Sequence, residues 1–319
     1  MQLTEHINLP RGWTSETAGD SDAWVHRLPY ELLEAYAQDE GDELDASPNL
    51  IHKWRPAFES MIGELDGGHG FILIDRVPIE TLSIHAARRV YWRIGQSLGR
   101  PIEQNIQGTL LYDVKDTGAD VAEGARFSVT NAESSFHTDA AFADTPPEYV
   151  GLLCLAAAQR GGESQLVSAY ALHNALRAEG TSLEAAYEPF HFDRRGQFRP
   201  GEPNVMTAPI FRWDGRELDT RYLDYYIRVG HQVSDSPLTD DQCGLLERIE
   251  STLSAGNLHV AFSLQPGQML FTNNHWILHN RTAFEDHPDP DRRRHYIRLW
   301  LSRNSSDWAE RPTRIPYET

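Results

Sequence analysis

Residues 136–168 read FHTDAAFADTPPEYVGLLCLAAAQRGGESQLVS and combine a long apolar run with polar residues on either side of it. The run, residues 149–158, is typical of a buried strand, and the Gly161-Gly162 turn separates it from a second predicted strand, 164–168. Before the run, a His-Thr-Asp triplet occupies residues 137–139, and on a strand its His and Asp would point to the same face. This region therefore predicts paired strands that carry an imidazole and a carboxylate.

The strand pattern continues along the chain, with Gly and Pro between the segments. Helical spacing occurs in residues 51–65 and 86–98, and Thr239 begins a capping-box pattern before another predicted helix. Many short strands, with helices near the start and as inserts, predict a mostly β fold with flanking helices, a double antiparallel sheet such as a jelly roll. The other predicted strands are 70–78, 110–114, 205–213, 258–265, 268–272 and 294–302.

The sequence contains no internal repeat and no linker long enough to divide it, which favours a single domain over residues 1–319. We expect a helical N-terminal part over about residues 1–100, a jelly-roll core over about 101–303 and a helical insert over about 239–254. A division into two domains stays open at this point.

Composition and charge narrow the class of partner. The net charge of −18 and the pI near 5.1 would repel phosphate backbones and anionic lipid surfaces, so we predict neither nucleic-acid nor membrane binding, and a small-molecule substrate instead. Cys154 and Cys243 are the two cysteines, which argues against a disulfide framework as the basis of the fold. With no signal-like first segment and no long apolar run, the expected location is the cytoplasm.

A His-x-Asp triplet needs support from its context. The chain has 14 His and 47 Asp plus Glu in 319 residues, so roughly two His-x-acid triplets are expected by chance, and three occur. The triplet 287–289 alternates with prolines in a charged stretch, which predicts a surface loop. The triplet 191–193 precedes the polar turn 194–196, which favours an exposed strand end. The triplet 137–139 is therefore the candidate site.

His279 is a third candidate ligand and lies 140 positions after Asp139. Two imidazoles and one carboxylate can occupy one face of an iron ion and leave the opposite face open. His275 precedes His279 by a helical spacing of four, and the two could form a metal-binding pair on a helix. The strand predicted at 266–272 and the Asn273-Asn274 turn argue against a helix there, so we expect His275 to be a polar neighbour.

Arg294 and Arg298 follow in a predicted strand, where residues four apart point to the same face. Their Cα atoms would lie about 13 Å apart, too far to reach one carboxylate unless the strand bends. A guanidinium offers two parallel donors to a carboxylate, which Lys cannot reproduce. Arg292 and Arg293, by contrast, are expected to be solvated.

Taken in this order, the motifs resemble the taurine dioxygenase-like (TauD/TfdA) family of Fe(II)- and 2-oxoglutarate-dependent dioxygenases. The pattern of that family is His-x-Asp, a Gly-Gly-acid-Thr/Ser turn, a distal His and Arg-x-x-x-Arg. The resemblance covers about residues 71–302 and is strongest at 136–168 and from residue 266 onward. It implies a double-stranded β-helix of the clavaminate synthase-like type, a jelly-roll form that agrees with the predicted strands.

The resemblance also implies the metal and its ligands. Carried over residue by residue, it makes His137, Asp139 and His279 the ligands of Fe(II), with 2-oxoglutarate as cosubstrate and O2 as oxidant. Imidazole and carboxylate are donors that suit iron. The halogenating branch of this chemistry has a small residue in place of the carboxylate ligand, so Asp139 argues against halogenation.

Four further residues are expected to contact the cosubstrate or the substrate. From the resemblance, Arg294 is expected to bind the distal carboxylate of 2-oxoglutarate, and Ser164, which stands where the family often has Thr, is expected to add a hydrogen bond to it. Arg298 is expected to meet the inner end of the cosubstrate or an anionic group of the substrate. Ser134 lies on the approach to the His-Thr-Asp triplet and is expected to make a polar contact with the substrate.

The resemblance implies an oxidoreductase with one catalytic domain. The enzyme is expected to hydroxylate an aliphatic C–H bond of a small polar substrate, either an amino acid or a natural-product intermediate. Succinate and CO2 are the expected coproducts. Desaturation or cyclisation by the same oxidant stays open, as does a non-catalytic jelly-roll protein that binds a metal or ligand. A zinc hydrolase is disfavoured because the sequence has no His-Glu-x-x-His motif. The sequence does not distinguish a monomer from a homo-oligomer.

Overall fold

The computed structural model describes residues 1–19, 21–39, 44, 48–119 and 127–303. Short strands dominate, and helices lie before and between them. The helices are α1 Tyr30–Gln38, α2 Pro48–Trp54, α3 Glu59–Gly67, α4 Ile84–Leu98, α5 Ala169–Ala178, α6 Asp224–Val233 and α7 Asp240–Ser254. The strands are β1 Val25–His26, β2 Phe71–Ile74, β3 Arg100–Ile102, β4 Leu111–Val114, β5 Ser134–His137, β6 Tyr149–Ala156, β7 Arg160–Gly161, β8 Ser164–Ser168, β9 Phe190–Asp193, β10 Val205–Ala208, β11 Phe211–Trp213, β12 Leu218–Thr220, β13 His259–Phe262, β14 Met269–Asn273, β15 Ile277–Arg281, β16 Phe284–Glu285 and β17 His295–Ser302.

Two sheets form the core of the fold. The larger sheet has the strand order β1-β2-β14-β6-β17-β3, and β4 also pairs with β17. The smaller sheet has the order β13-β8-β15-β5. Residues of both sheets share one hydrophobic cluster, in which Leu270 and Tyr296 of the larger sheet pack with Leu166 of the smaller one. The two sheets therefore face each other, which confirms the predicted mostly β, double-stranded β-helix fold.

Strand β6 lies in the middle of the larger sheet, between β14 and β17. Its apolar sequence explains this place, because a central strand of a covered sheet is buried on both faces. Val150 and Leu152 line a cavity between the sheets, whereas Tyr149 and Leu153 pack into a second hydrophobic cluster on the opposite face. The alternation places one face of the sheet toward the cavity and the other toward the N-terminal helices.

Helix α4 covers that second face. The side chain of Ser83 caps the helix by accepting a hydrogen bond from the backbone N–H of Ala86. Val90 and Ile94 pack with Leu299 of β17 in the second cluster. The spacing of four between these helical residues produced the helix prediction, and the structure confirms it.

Some elements differ from the prediction for local reasons. The helix expected at 51–65 is divided into α2 and α3 by a 3-10 turn at Arg55–Phe58, because Pro56 has no N–H to continue the α-helical pattern. The strand expected at 205–213 is divided into β10 and β11 around Pro209, which cannot donate to a strand ladder. The strands expected at 70–78 and 258–265 are shorter, at Phe71–Ile74 and His259–Phe262.

Helices α5 and α6 had no counterpart in the sequence prediction. Helix α5 follows β8 directly, and Ser168 caps it through a hydrogen bond from the N–H of Ala171. Helix α7 was predicted, and the reciprocal hydrogen bonds of Thr239 and Gln242 confirm its capping box.

No helix in the described part of the chain has the length and apolar character that a bilayer span requires.

The larger sheet begins earlier in the chain than the predicted jelly-roll core. Strand β2 pairs with β14 in the antiparallel sense and with β1 in the parallel sense, and both N-terminal strands precede residue 101. The segment before residue 101 therefore contributes strands as well as helices. A single catalytic domain over residues 1–319 stays a prediction.

Gly151 of β6 provides a test of this packing. A Cβ atom at this position would lie 2.5 Å from Cε1 of Phe271 and 2.6 Å from the hydroxyl of Tyr91. We expect Gly151→Ala to lower the free energy of unfolding by about 1–3 kcal/mol, because the sheet and α4 would have to separate slightly. Chemical denaturation followed by circular dichroism measures the change.

Gly63→Ala is the matched control. Gly63 lies in α3, and a Cβ atom added there would have no neighbouring atom within 4 Å, so the same substitution removes only the flexibility of glycine. It should raise the free energy of unfolding by about 0.5–1 kcal/mol. Equal effects of the two substitutions would contradict the packing described for β6.

Candidate active site

His137, Asp139 and His279 meet at the edge of the smaller sheet, where β5 pairs with β15. His137 ends β5 and is the register partner of His279 in β15, while Asp139 lies in the turn that follows β5. Oδ1 of Asp139 lies 3.5 Å from Nε2 of His137 and 3.8 Å from Nε2 of His279. One ligand atom from each residue lies within 4.8 Å of the others, so the group can hold a metal ion.

The protonation of the imidazoles suits a metal. Nδ1 of His137 lies 2.8 Å from the carbonyl oxygen of Ser135, to which Nδ1–H donates, and the lone pair of Nε2 is then directed to the site. Burial and the adjacent His137 lower the pKa of His279 to about 3, so His279 is neutral and can also offer a lone pair. These donors fit a divalent iron ion.

Asp139 is buried and ionised. Burial alone would raise the pKa of Asp139, but the charge of Arg298 holds the pKa well below its usual range. Nη1 of Arg298 lies 3.3 Å from Oδ1 and 3.2 Å from Oδ2 of Asp139. The indole Nε1–H of Trp300 donates to Oδ2 over 2.7 Å.

Asn274 holds the backbone of Asp139 in place. Its Oδ1 accepts a hydrogen bond from the N–H of Asp139 over 2.7 Å, and its Nδ2 donates to the carbonyl oxygens of Asp139 and Pro147. The Asn273-Asn274 turn, which served in the sequence only as an argument against a helix, therefore positions the carboxylate. Its amide pattern alone did not indicate this contact.

Arg294 lies at the other end of the cavity, directly before β17, and is 3% exposed. Its guanidinium carbon lies 3.9 Å from the ring centroid of Tyr296 and 5.1 Å from that of Phe284. Among the described residues, Nε and Nη1 have no hydrogen-bond partner. Burial lowers the pKa of Arg294 without removing its charge, and a buried cation of this kind needs an anion. The distal carboxylate of 2-oxoglutarate has the charge and planar shape that a guanidinium binds.

The Gly-Gly turn leaves room for this arginine. Gly162 has a φ of 73°, and a Cβ atom there would lie 3.2 Å from Nε of Arg294 and 3.3 Å from Cβ of Phe284. A glycine suits both the left-handed backbone and the close approach. The turn, first noted as a break between two strands, therefore shapes the Arg294 end of the cavity.

Ser164, Ser134 and Arg281 lie near each other at this end. Ser164 is the register partner of Arg281 and lines the cavity. The hydroxyl of Ser134 accepts a hydrogen bond from the N–H of Arg281 over 2.9 Å. Burial and the neighbouring charge of Arg294 lower the pKa of Arg281 to about 10, so both guanidinium groups are positive at neutral pH. Arg281 was absent from the predicted site, although its place two residues after His279 on a strand was a usable signal.

Arg298 lines the same cavity between the rings of Tyr112 and Trp300, whose centroids lie 5.2 and 4.8 Å from its guanidinium carbon. Its Nε donates to Oε1 of Gln104 over 2.8 Å, and its Nη1 faces Asp139. The ion pair with Asp139 and the contact with Gln104 were not indicated by the sequence.

One cavity of about 140 Å³ connects these groups. The three candidate ligands, both predicted arginines, Ser134 and Ser164 all line it. Its apolar lining includes Phe142 and Tyr226, whose rings lie 5.9 Å apart. The structure therefore brings together every site residue named from the sequence.

The competing histidines lie elsewhere. Nδ1 of His191 is 2.9 Å from Oγ1 of Thr207 on the adjacent strand, and the triplet 287–289 lies outside the strands, as expected. Nδ1 of His275 lies 2.7 Å from Oδ1 of Asp219 in β12. None of these three histidines joins a metal-binding group within the described ranges.

The profile of the "Taurine catabolism dioxygenase TauD, TfdA family" matches residues 35–300. The chain belongs to this family. It is therefore a non-haem iron oxygenase that depends on 2-oxoglutarate, and the resemblance drawn from its motifs is confirmed.

Three known proteins show how far the similarity extends. FR-33289 synthase of Streptomyces rubellomurinus is 28% identical over 308 residues, which cover 91% of this chain and 88% of that protein. Uridine-5'-phosphate dioxygenase of an Amycolatopsis species is 29% identical and covers 72% of this chain and 84% of its own length. The structure of asparagine oxygenase with Fe(II), 3-hydroxyasparagine and succinate superposes with a TM-score of 0.69 at 20% identity, over 88% of this chain and 93% of that one.

Metal binding tests the role of Asp139. We expect Asp139→Ala to weaken Co(II) or Fe(II) binding at least about tenfold, because the substitution removes the one carboxylate, and with it the negative charge, from the ligand group. Anaerobic calorimetry measures the affinity, and circular dichroism at the same temperature shows that the variant is folded. The second measurement matters because the substitution leaves Arg298 buried without its carboxylate.

Asp193→Ala is the matched control from a second His-x-Asp triplet. Asp193 accepts a hydrogen bond from the backbone N–H of Arg195 and lies 3.6 Å from its guanidinium, away from the cavity. Metal affinity should equal that of the unmodified protein. Loss of binding in Asp193→Ala with normal binding in Asp139→Ala would reverse the assignment.

Proposed function

We propose that this oxygenase hydroxylates an aliphatic C–H bond of a small polar substrate that carries an anionic group. The observation that supports it most directly is that the His137, Asp139 and His279 group shares one cavity with the buried, unpaired Nε and Nη1 of Arg294. The three ligands hold Fe(II), and Arg294 binds the distal carboxylate of 2-oxoglutarate. Ser164 adds a hydroxyl beside that carboxylate.

With iron bound, 2-oxoglutarate and O2 supply the oxidant for the C–H bond and leave succinate and CO2. The chain positions the reactants and excludes water. His279 stays neutral and Asp139 stays ionised, so the ligand set balances part of the metal charge. The apolar side chains of Val150, Leu166 and Leu270 line the space around these groups and keep it dry.

Arg298 supports the assignment of an anionic substrate. Its Nη1 contacts the Asp139 carboxylate and its side chain lines the cavity, so a substrate carboxylate or phosphate bound beside it lies next to the metal. Ser134 offers a further polar contact. The named relatives agree with this class, because asparagine and uridine 5'-phosphate are small polar molecules with an anionic group.

Oxygen uptake coupled to succinate formation tests the proposed reaction. The purified protein with Fe(II), ascorbate and 2-oxoglutarate is offered amino acids and nucleoside or sugar phosphates, and mass spectrometry follows the addition of one oxygen atom. A product that has lost two hydrogens instead would indicate desaturation or cyclisation. If the protein binds the metal but forms no succinate and consumes no O2, the result would contradict the proposed enzymatic activity.

Arg294→Lys tests the cosubstrate site. Lysine keeps the positive charge but loses the paired donors, so the KM for 2-oxoglutarate should rise roughly ten- to a hundredfold. Arg293→Lys is the matched control, because Arg293 is the exposed neighbour and should leave KM unchanged. A similar rise in both variants would point to a general effect of charge and against the Arg294 contact.

A further inference from the structure

The two oxygens of Asp139 have different surroundings. Oδ1 faces the imidazoles, at 3.5 Å from His137 and 3.8 Å from His279, and Nη1 of Arg298 lies 3.3 Å from it. Oδ2 is turned to the larger sheet, where the indole N–H of Trp300 donates to it over 2.7 Å and Nη1 of Arg298 lies 3.2 Å away. The contact with Trp300 therefore fixes Oδ2 on the side of the larger sheet, and Oδ1 points toward the two histidines.

Trp300 is placed rigidly. Its backbone pairs with Val150 of β6 on one side of β17 and with Ile102 of β3 on the other. The side chain is 7% exposed and packs with Ala140 and Val150, while the guanidinium of Arg298 stacks on its ring. A donor held on both sides by a sheet keeps its direction when the occupancy of the cavity changes.

The coordination chemistry of this enzyme class makes the direction of Oδ2 important. Three protein ligand atoms on one face of an octahedral ion leave the opposite face for a chelating cosubstrate and for O2. A carboxylate that bound through both oxygens would occupy one of the positions on that open face. An indole N–H that engages Oδ2 occupies one of its lone pairs and fixes its direction, which disfavours this second bond.

We propose that Trp300 is a positioning residue that keeps Oδ2 of Asp139 away from the metal, so that Asp139 binds through Oδ1 alone and the chelating cosubstrate has two free positions. This inference rests on the proposed iron site. If the inference is correct, replacing Trp300 lowers the affinity for ligands that occupy two coordination positions of the metal. The affinity for ligands that Arg294 holds through a carboxylate alone does not change.

The test compares two ligands of the Fe(II) protein without O2. 2-Oxoglutarate chelates the metal and also reaches Arg294, and its binding is followed by the visible charge-transfer band of the chelate. Succinate has the same distal carboxylate but no 2-oxo group, and its binding is followed by calorimetry. In Trp300→Phe, the affinity for 2-oxoglutarate should fall about tenfold or more, whereas the affinity for succinate should be unchanged.

Trp24→Phe is the matched control. Nε1 of Trp24 is buried without a hydrogen-bond partner among the described residues, so the same substitution removes a ring but no hydrogen bond. Both ligands should bind this variant as they bind the unmodified protein. If Trp300→Phe folds poorly, replacement of Trp300 by 3-benzothienylalanine keeps the shape of the ring and removes only the N–H.

The possible results distinguish failure of the Trp300 inference from failure of the proposed function. Equal 2-oxoglutarate affinity in the Trp300 and Trp24 variants overturns the inference and leaves the proposed function intact. A parallel loss of 2-oxoglutarate and succinate also overturns it, because it shows a structural effect that reaches Arg294. Failure of the unmodified protein to bind Fe(II) or 2-oxoglutarate contradicts the proposed function itself.

Discussion

The ion pair between Asp139 and Arg298 is the interaction on which the site depends. A carboxylate that is 5% exposed, next to two imidazoles, is stable as an anion only when a cation compensates the loss of hydration. Arg298 provides that charge from the opposite sheet. The pair therefore links the smaller sheet, which carries His137 and His279, to β17 of the larger one, and it joins the two sheets across the cavity.

Much of the site could be predicted because successive side chains of a strand point to opposite faces of the sheet. The apolar run that became β6 and the alternation from Arg294 to Trp300 defined strands and faces, and the order of motifs identified the family. Metal ligands are recognisable by type, but the His-x-acid spacing occurs about as often as chance predicts, so the order of the other motifs was needed to select the triplet 137–139. These parts of the fold and site depend on local sequence or on motif order, which one chain displays directly.

The contacts behind the ligands could not be predicted in the same way. Gln104, Asn274 and Trp300 reach the site from a loop, a turn and a strand that are distant in sequence from Asp139. Amide and indole groups occur throughout proteins, so only the tertiary fold selects these three. Helices α5 and α6 were missed for other reasons, because α5 follows β8 with no intervening turn and α6 has no side-chain cap at its start.

Three side chains of the cavity lie along β17: Arg294 directly precedes its first residue, Arg298, which pairs with Asp139, lies in its middle, and Trp300, which donates to Asp139, lies near its end. Its odd-numbered residues Ile297, Leu299 and Leu301 pack on the helical side. Because side chains alternate along a strand, a single inserted or deleted residue here would exchange the two sets. The strand therefore fixes the spacing of Arg294, Arg298 and Trp300 together, and natural variation in length is expected in the segment 286–293 ahead of the strand and not within it.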